Sequence, residues 1–162
     1  MWFLKILLLG VFFLVFLQDY KERKVYWFLY PIIGFLVFFL QVEFVPIRFA
    51  LINSGFNLGF VFSLLLVCYL YAKLKLHQSL LKEVFGLGDL LFFVFIAFSF
   101  SIISFQILFV FSLVFSLVLH LVIKNSETQT YKSVPLAGYM SLFFAVVYGI
   151  SFFYEFNFLY AY

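Results

Sequence analysis

Residues 1–18 read MWFLKILLLGVFFLVFLQ, with a single charged side chain, and further runs of the same kind follow along the chain. About 20 such residues cross a bilayer as one helix. Lipid offers the backbone no hydrogen-bond partner, so a spanning chain must be helical or a closed barrel. Barrel strands alternate polar and apolar residues, and ILLLGVFFLVFL does not. The pattern predicts an all-α, polytopic integral membrane protein, with residues 1–162 forming one membrane-embedded domain. Hydrophobic residues make up 67% of the chain and charged residues 10%, which leaves no composition for a separate soluble domain.

Six spans are predicted, at residues 2–18, 25–41, from 49 or 56 to 72, 89–103, 105–123 and 135–156. Asn53, Ser54, Gly55 and Asn57 obscure the start of the third. A very short turn near Ser104 predicts a tight helical hairpin between the fourth and fifth. The first run ends in QDYKERK, without a small-x-small cleavage site, so a retained helix is expected rather than a secretory signal.

Charge then orients the spans. Lys21, Arg23 and Lys24 follow the first span, Lys73, Lys75 and Lys82 the third, and Lys124 and Lys132 the fifth. Only Lys5 and Arg48 lie on the other side. Cytoplasmic loops carry the excess of Lys and Arg, so these three loops are expected inside and both termini outside the cytoplasm, in the inner (plasma) membrane. Trp2, Trp27, Tyr26, Tyr30, Tyr154, Tyr160 and Tyr162 fall near the expected interfaces, as an aromatic belt does.

The net charge of +3 is too small to indicate a nucleic-acid partner. Cys68, the one cysteine, excludes an intrachain disulfide and reads as a buried packing residue. His77 reads as solvated and His120 as packing within the fifth span. No H-E-x-x-H, phosphate loop or supported Ser-His pair occurs. Neither a metal nor an organic cofactor is implied.

The chain has two aspartates, Asp19 at the end of the first span and Asp89 at the start of the fourth, both on the expected cytoplasmic side. Glu22, Glu83 and Glu127 lie in the same loops, farther from the apolar runs or among lysines. Two carboxyls within a few ångströms titrate as a unit, because one charge opposes the other. The ionised member can deprotonate a water and the protonated member can donate to a peptide carbonyl. Gly86 and Gly88 would let backbone approach closely and adopt conformations other residues avoid. Asp89, at a helix start, is expected to favour the ionised form and the role of base. A plainer account is also open: Asp89 as a helix cap, and Asp19 as an interfacial residue pairing with Lys21 or Arg23.

Three segments resemble the type IV prepilin peptidases and preflagellin peptidases, the G-x-G-D membrane aspartyl proteases. Asp19 in DYKERKVYWFLYP is similar to that family's first catalytic aspartate, followed by a basic loop and a new span. Gly86-Leu87-Gly88-Asp89 matches the G-x-G-D motif. VPLAGYM, residues 134–140, is similar to the segment opening the family's last span. Leu91 stands where the family usually has lysine two residues after the second aspartate. The paired cysteines and extra N-terminal region of members that also N-methylate are missing from this sequence. The resemblance implies a membrane aspartyl endopeptidase, with Asp19 and Asp89 catalytic and Gly86 and Gly88 shaping the loop. Its expected partner is a prepilin-like or pseudopilin-like protein with a short basic leader. The alternative is a non-catalytic membrane scaffold on the same fold.

Overall fold

In the computed structural model the described residues are 2–22, 24–76, 86–124, 135–151 and 159–160, and they form an all-α bundle. Six α-helices follow one another: α1 (Trp2–Glu22), α2 (Leu29–Phe44), α3 (Ile47–Tyr71), α4 (Leu87–Ile96), α5 (Ile102–Lys124) and α6 (Leu136–Ile150), with a π-helical turn (Ala72–Leu76) extending α3. Three helices are long and apolar enough to cross a membrane: α1, α3 with its extension, and α5. At 1.5 Å per residue these measure roughly 30 Å or more, the thickness of a hydrocarbon core. Helices α2, α4 and α6 are shorter. The outward surface is apolar, with Phe35 67%, Val67 66% and Phe111 60% exposed. A patchwork of this size suits lipid rather than water.

Helices α1 and α6 run antiparallel and are tied at both ends. Asp19 accepts a hydrogen bond from the Gly138 amide at one end, and Lys5 Nζ donates to the Ser151 carbonyl (2.8 Å) at the other. Lys5 thereby meets the negative end of the α6 dipole. Between these ties lies an aromatic core. Phe12 of α1 faces Phe144 and Tyr148 of α6 with ring centroids 6.4 and 6.0 Å apart, and Phe100 joins Tyr148 at 5.2 Å. Helix α2 flanks α1 and α4. Gly34 admits the Phe95 ring, which a Cβ there would meet at 2.6 Å.

The fourth element departs from the expectation over residues 89–103. Helix α4 ends at Ile96, a non-helical segment covers 97–101, and Ser104 lies inside α5. The two helices are therefore no tight hairpin turning at Ser104. They touch through Phe93 and Phe109 (5.2 Å), but α5 packs chiefly on α6 and α3. The break is held by side chains from other helices. Asn57 Nδ2 donates to the carbonyls of Ala97 and Phe100, both at 3.0 Å, and Gln41 Nε2 donates to Phe100 at 3.2 Å. Ser101 donates from its amide and its hydroxyl to the Leu159 carbonyl. Irregular backbone at membrane depth needs such partners, since lipid supplies none. Asn53, Ser54 and Asn57 consequently belong to α3, which starts at Ile47, and their side chains are buried rather than interfacial.

Asn57 is fully buried. Asn57→Leu keeps the size but withdraws both donors, and an unmet buried carbonyl costs about 1–3 kcal/mol. The expected result is a loss of that order in denaturing-detergent unfolding, with little change for Phe56→Leu on the 63%-exposed neighbouring position.

Other boundaries shift modestly. The second helix starts at Leu29 and ends at Phe44, and the sixth spans Leu136–Ile150. Cys68 is half-buried, not buried. Tyr30 and Tyr160 leave the expected aromatic belt for the interior, at 1% and 7% exposure, whereas Trp2, Tyr26 and Trp27 stay outside. Arg23, His77, Lys82, Glu83, Glu127, Lys132, Tyr154 and Tyr162 lie outside the described residues.

Candidate functional site

Helix α6 begins without a cap of its own. Its N-cap position is Pro135, which offers no side-chain hydrogen bond to the first turn, so the leading amides need partners from elsewhere. The two aspartates supply them. Asp89 Oδ1 accepts from the Ala137 amide at 2.8 Å, and Asp19 Oδ2 accepts from the Gly138 amide at 2.6 Å. Residues 119 and 48 positions away in sequence thus meet on consecutive peptide groups of one helical turn. Standard bond lengths then bound the separation of the two bonded oxygens at roughly 10 Å.

Each aspartate reaches this point by a different route. Asp19 lies in the last turn of α1, which continues to Glu22, and it is 9% exposed. Gly138 makes its approach possible: a Cβ there would stand 3.0 Å from both Cβ and Oδ2 of Asp19. Asp89 occupies the first turn of α4, whose N-cap is Gly86. Its second oxygen, Oδ2, accepts from the Gly86 amide at 3.2 Å. Asp89 therefore caps its own helix with one oxygen and α6 with the other. It is half-buried, while Gly86 and Leu87 are exposed, so the pair is approached from the Asp89 side.

The two motif glycines play different parts. Gly86 is extended (φ −72°, ψ 152°), a conformation open to any residue, and a Cβ there would meet Asp89 Oδ2 at an ordinary 3.4 Å. The expectation of unusual backbone at Gly86 is not met. Gly88 is required for space: a Cβ would stand 2.5 Å from the Tyr30 hydroxyl oxygen.

Tyr30 is the site residue that sequence reasoning missed. Its hydroxyl is buried next to Gly88 and has no hydrogen-bond partner among the described residues. Both carboxylates lie close enough to act on it electrostatically. Its place near an expected interface made it look like a belt residue. The holding group, the Ala137 and Gly138 amides, had one visible signal: Pro135 at the cap position, in place of Ser, Thr, Asp or Asn, with two small residues after the intervening Leu136.

Beneath the carboxylates three rings close the interior. Phe12, Phe92 and Phe144 lie pairwise 6.4, 6.4 and 6.2 Å apart, and all three are fully buried. Such spacings suit aromatic packing and leave an apolar floor under a polar rim. Leu91 packs on the apolar core. A lysine at that position would have to leave the core packing to reach water. Among the described residues no group of three His, Cys, Asp or Glu side chains could hold a metal ion.

The arrangement offers two carboxylates, a helix N-terminus, a phenol and an apolar floor at one end of the bundle. Comparison of the chain with protein-family models, curated proteins and solved structures finds no match.

Proposed function

We propose that this protein is a membrane aspartyl endopeptidase that removes the short basic leader of a prepilin-like or pseudopilin-like protein. The observation that carries the proposal is the convergence of Asp19 and Asp89 on the adjacent amides of Ala137 and Gly138. These are the two aspartates of the sequence, and they come from the segments that resemble the G-x-G-D proteases. Carboxyls held on adjacent amides can both be reached by one bound water, and at close approach such a pair titrates as a unit. Gly88 lets the first turn of α4 pack against the Tyr30 hydroxyl.

The site lies at the end of the bundle where α1 finishes and α4 and α6 begin. In the proposed orientation this end faces the cytoplasm, both termini face outward, and the membrane is the inner (plasma) membrane. A basic leader joined to an apolar helix would then lie across the membrane boundary, with its junction at the carboxylates. Reporter fusions after Lys24, Lys82 and Lys132 are expected to register the cytoplasm, and one after Arg48 the exterior. An exterior signal after Lys82 would separate Asp89 from the cytoplasm and refute the orientation.

The activity is tested by incubating purified protein, in detergent or lipid, with prepilin-like proteins encoded in the same genome. Leader release is the expected result. The same hydrogen bonds also favour a second function: both carboxylates cap α6, which is what a non-catalytic scaffold would need of them. Failure to cleave any such candidate would select the scaffold.

A further inference from the structure

The Tyr30 hydroxyl stands out among the buried polar groups at this end of the bundle. Tyrosine O–H groups usually find a partner when buried, and leaving one unmet costs free energy. Tyr30 is 1% exposed, and its oxygen has no hydrogen-bond partner among the described residues. It lies against the Gly88 backbone, one residue before Asp89, and both carboxylates act on it electrostatically. An unmet donor beside two carboxylates and a helix N-terminus is suited to an acceptor brought by a ligand.

We infer that Tyr30 is a third catalytic residue of the proposed peptidase, donating a hydrogen bond to the oxygen of the scissile peptide carbonyl. The inference rests on the proposed endopeptidase activity and adds to it the group that meets developing negative charge. Water adds to the carbonyl carbon and gives one proton to the ionised carboxylate. The carbonyl π pair moves to oxygen, which takes the proton of the other carboxyl while Tyr30 donates to it and keeps its own proton. Collapse then breaks the C–N bond. The amine leaves with a proton from one carboxyl, and the hydroxyl proton of the intermediate returns to the other. The pair again holds one proton, and water has been added across the peptide bond.

The phenol is well placed for this part. A preorganised donor in a water-poor site is worth far more than one in water, and the rings of Phe12, Phe92 and Phe144 keep the floor of the site apolar. The burial of Tyr30 fixes its ring, and because its oxygen is covered in the unliganded protein, the first turn of α4 over it must give way when substrate arrives.

The test is Tyr30→Phe in the full-length protein, assayed on the prepilin-like substrate that the unmodified protein cleaves. Removing one such donor is expected to lower kcat by roughly 10²–10³-fold with KM nearly unchanged. Thermal stability should hold or rise, because the lost hydroxyl had no partner to satisfy. A kcat within about threefold of the unmodified protein, or a rise in KM alone, would overturn the role. So would a marked drop in Tm, which would make the hydroxyl a structural group. If the unmodified protein cleaves no candidate, the endopeptidase itself falls, a result distinct from active protein with an active Tyr30→Phe variant.

Discussion

Asp19→Asn and Asp89→Asn are each expected to reduce leader release by on the order of 10⁴-fold or more, while the protein stays folded and inserted. The prediction separates two jobs that the same oxygens perform. As caps, the carboxylates accept hydrogen bonds from Gly138 and Ala137. Asparagine keeps one acceptor oxygen and nearly the same volume, so at position 19 it can still accept from the Gly138 amide, whereas at position 89 it can serve only one of the Ala137 and Gly86 amides. As catalysts, the carboxylates must take a proton from water and return one, and asparagine can do neither. Asp19→Asn should therefore unfold in denaturing detergent close to the unmodified protein, and Asp89→Asn somewhat earlier, by about 0.5–2 kcal/mol for the lost cap, yet both should lack activity. Because the two residues act as one unit, the double variant should be scarcely worse than either single one. Undiminished cleavage by either variant would remove the pair from the mechanism. Lost insertion in both would show that capping needs the charge as well as the acceptor.

How much of this could be seen in the residues follows from the range of each interaction. The helical class was visible because lipid imposes it locally: apolar runs near 20 residues leave little choice. The break in α4 was hidden, since its causes are Gln41 and Asn57 on other helices. Within its own segment FFVFIAFSFSIISF is apolar enough to continue as helix. Asn57 had looked like a blurred helix start because its partner carbonyls, 40 and 43 residues away, leave no local trace. Asp19 and Asp89 could be singled out by chemistry, as ionisable groups bordering hydrocarbon. Their meeting point could not, because tertiary contact alone shows that α6 needs two borrowed caps. Tyr30 was misplaced for a related reason. Position near an interface is the same for a lipid-facing ring and an inward one, and the backbone of α2 decides between them.

The two glycines at the site supply the second large effect, and its sign runs against helix propensity. Alanine in place of glycine within a helix gains up to about 1 kcal/mol where there is room for it. Gly55 and Gly59 in α3 have that room, with nothing within 4 Å of an added Cβ, so alanine there should be neutral or stabilising. Gly88→Ala instead drives a Cβ to 2.5 Å from the Tyr30 oxygen, although the ring carbon behind it is at an ordinary 3.6 Å. Overpacking of this kind costs about 1–3 kcal/mol. Tyr30→Phe removes the offending oxygen and leaves the ring, so the double variant should recover most of the lost stability, a coupling of about 1–3 kcal/mol. Gly138→Ala collides with Asp19 itself, at 3.0 Å from Cβ and Oδ2. Helix α1 has little freedom to retreat, since Lys5 is bonded to Ser151 and Phe12 is packed on Phe144 and Tyr148. Asp19 must therefore give by a few tenths of an ångström against the Gly138 amide, and cleavage should fall, though by less than the roughly 10²-fold expected for a misplacement near 1 Å. Tyr30→Phe should restore no stability to Gly138→Ala. The measurement is denaturing-detergent unfolding of the two single glycine variants, Tyr30→Phe and the two doubles, with cleavage assayed beside it for the Gly138 variant. Equal rescue of both glycine variants, or none of either, would mean that Tyr30 does not occupy the space in front of Gly88.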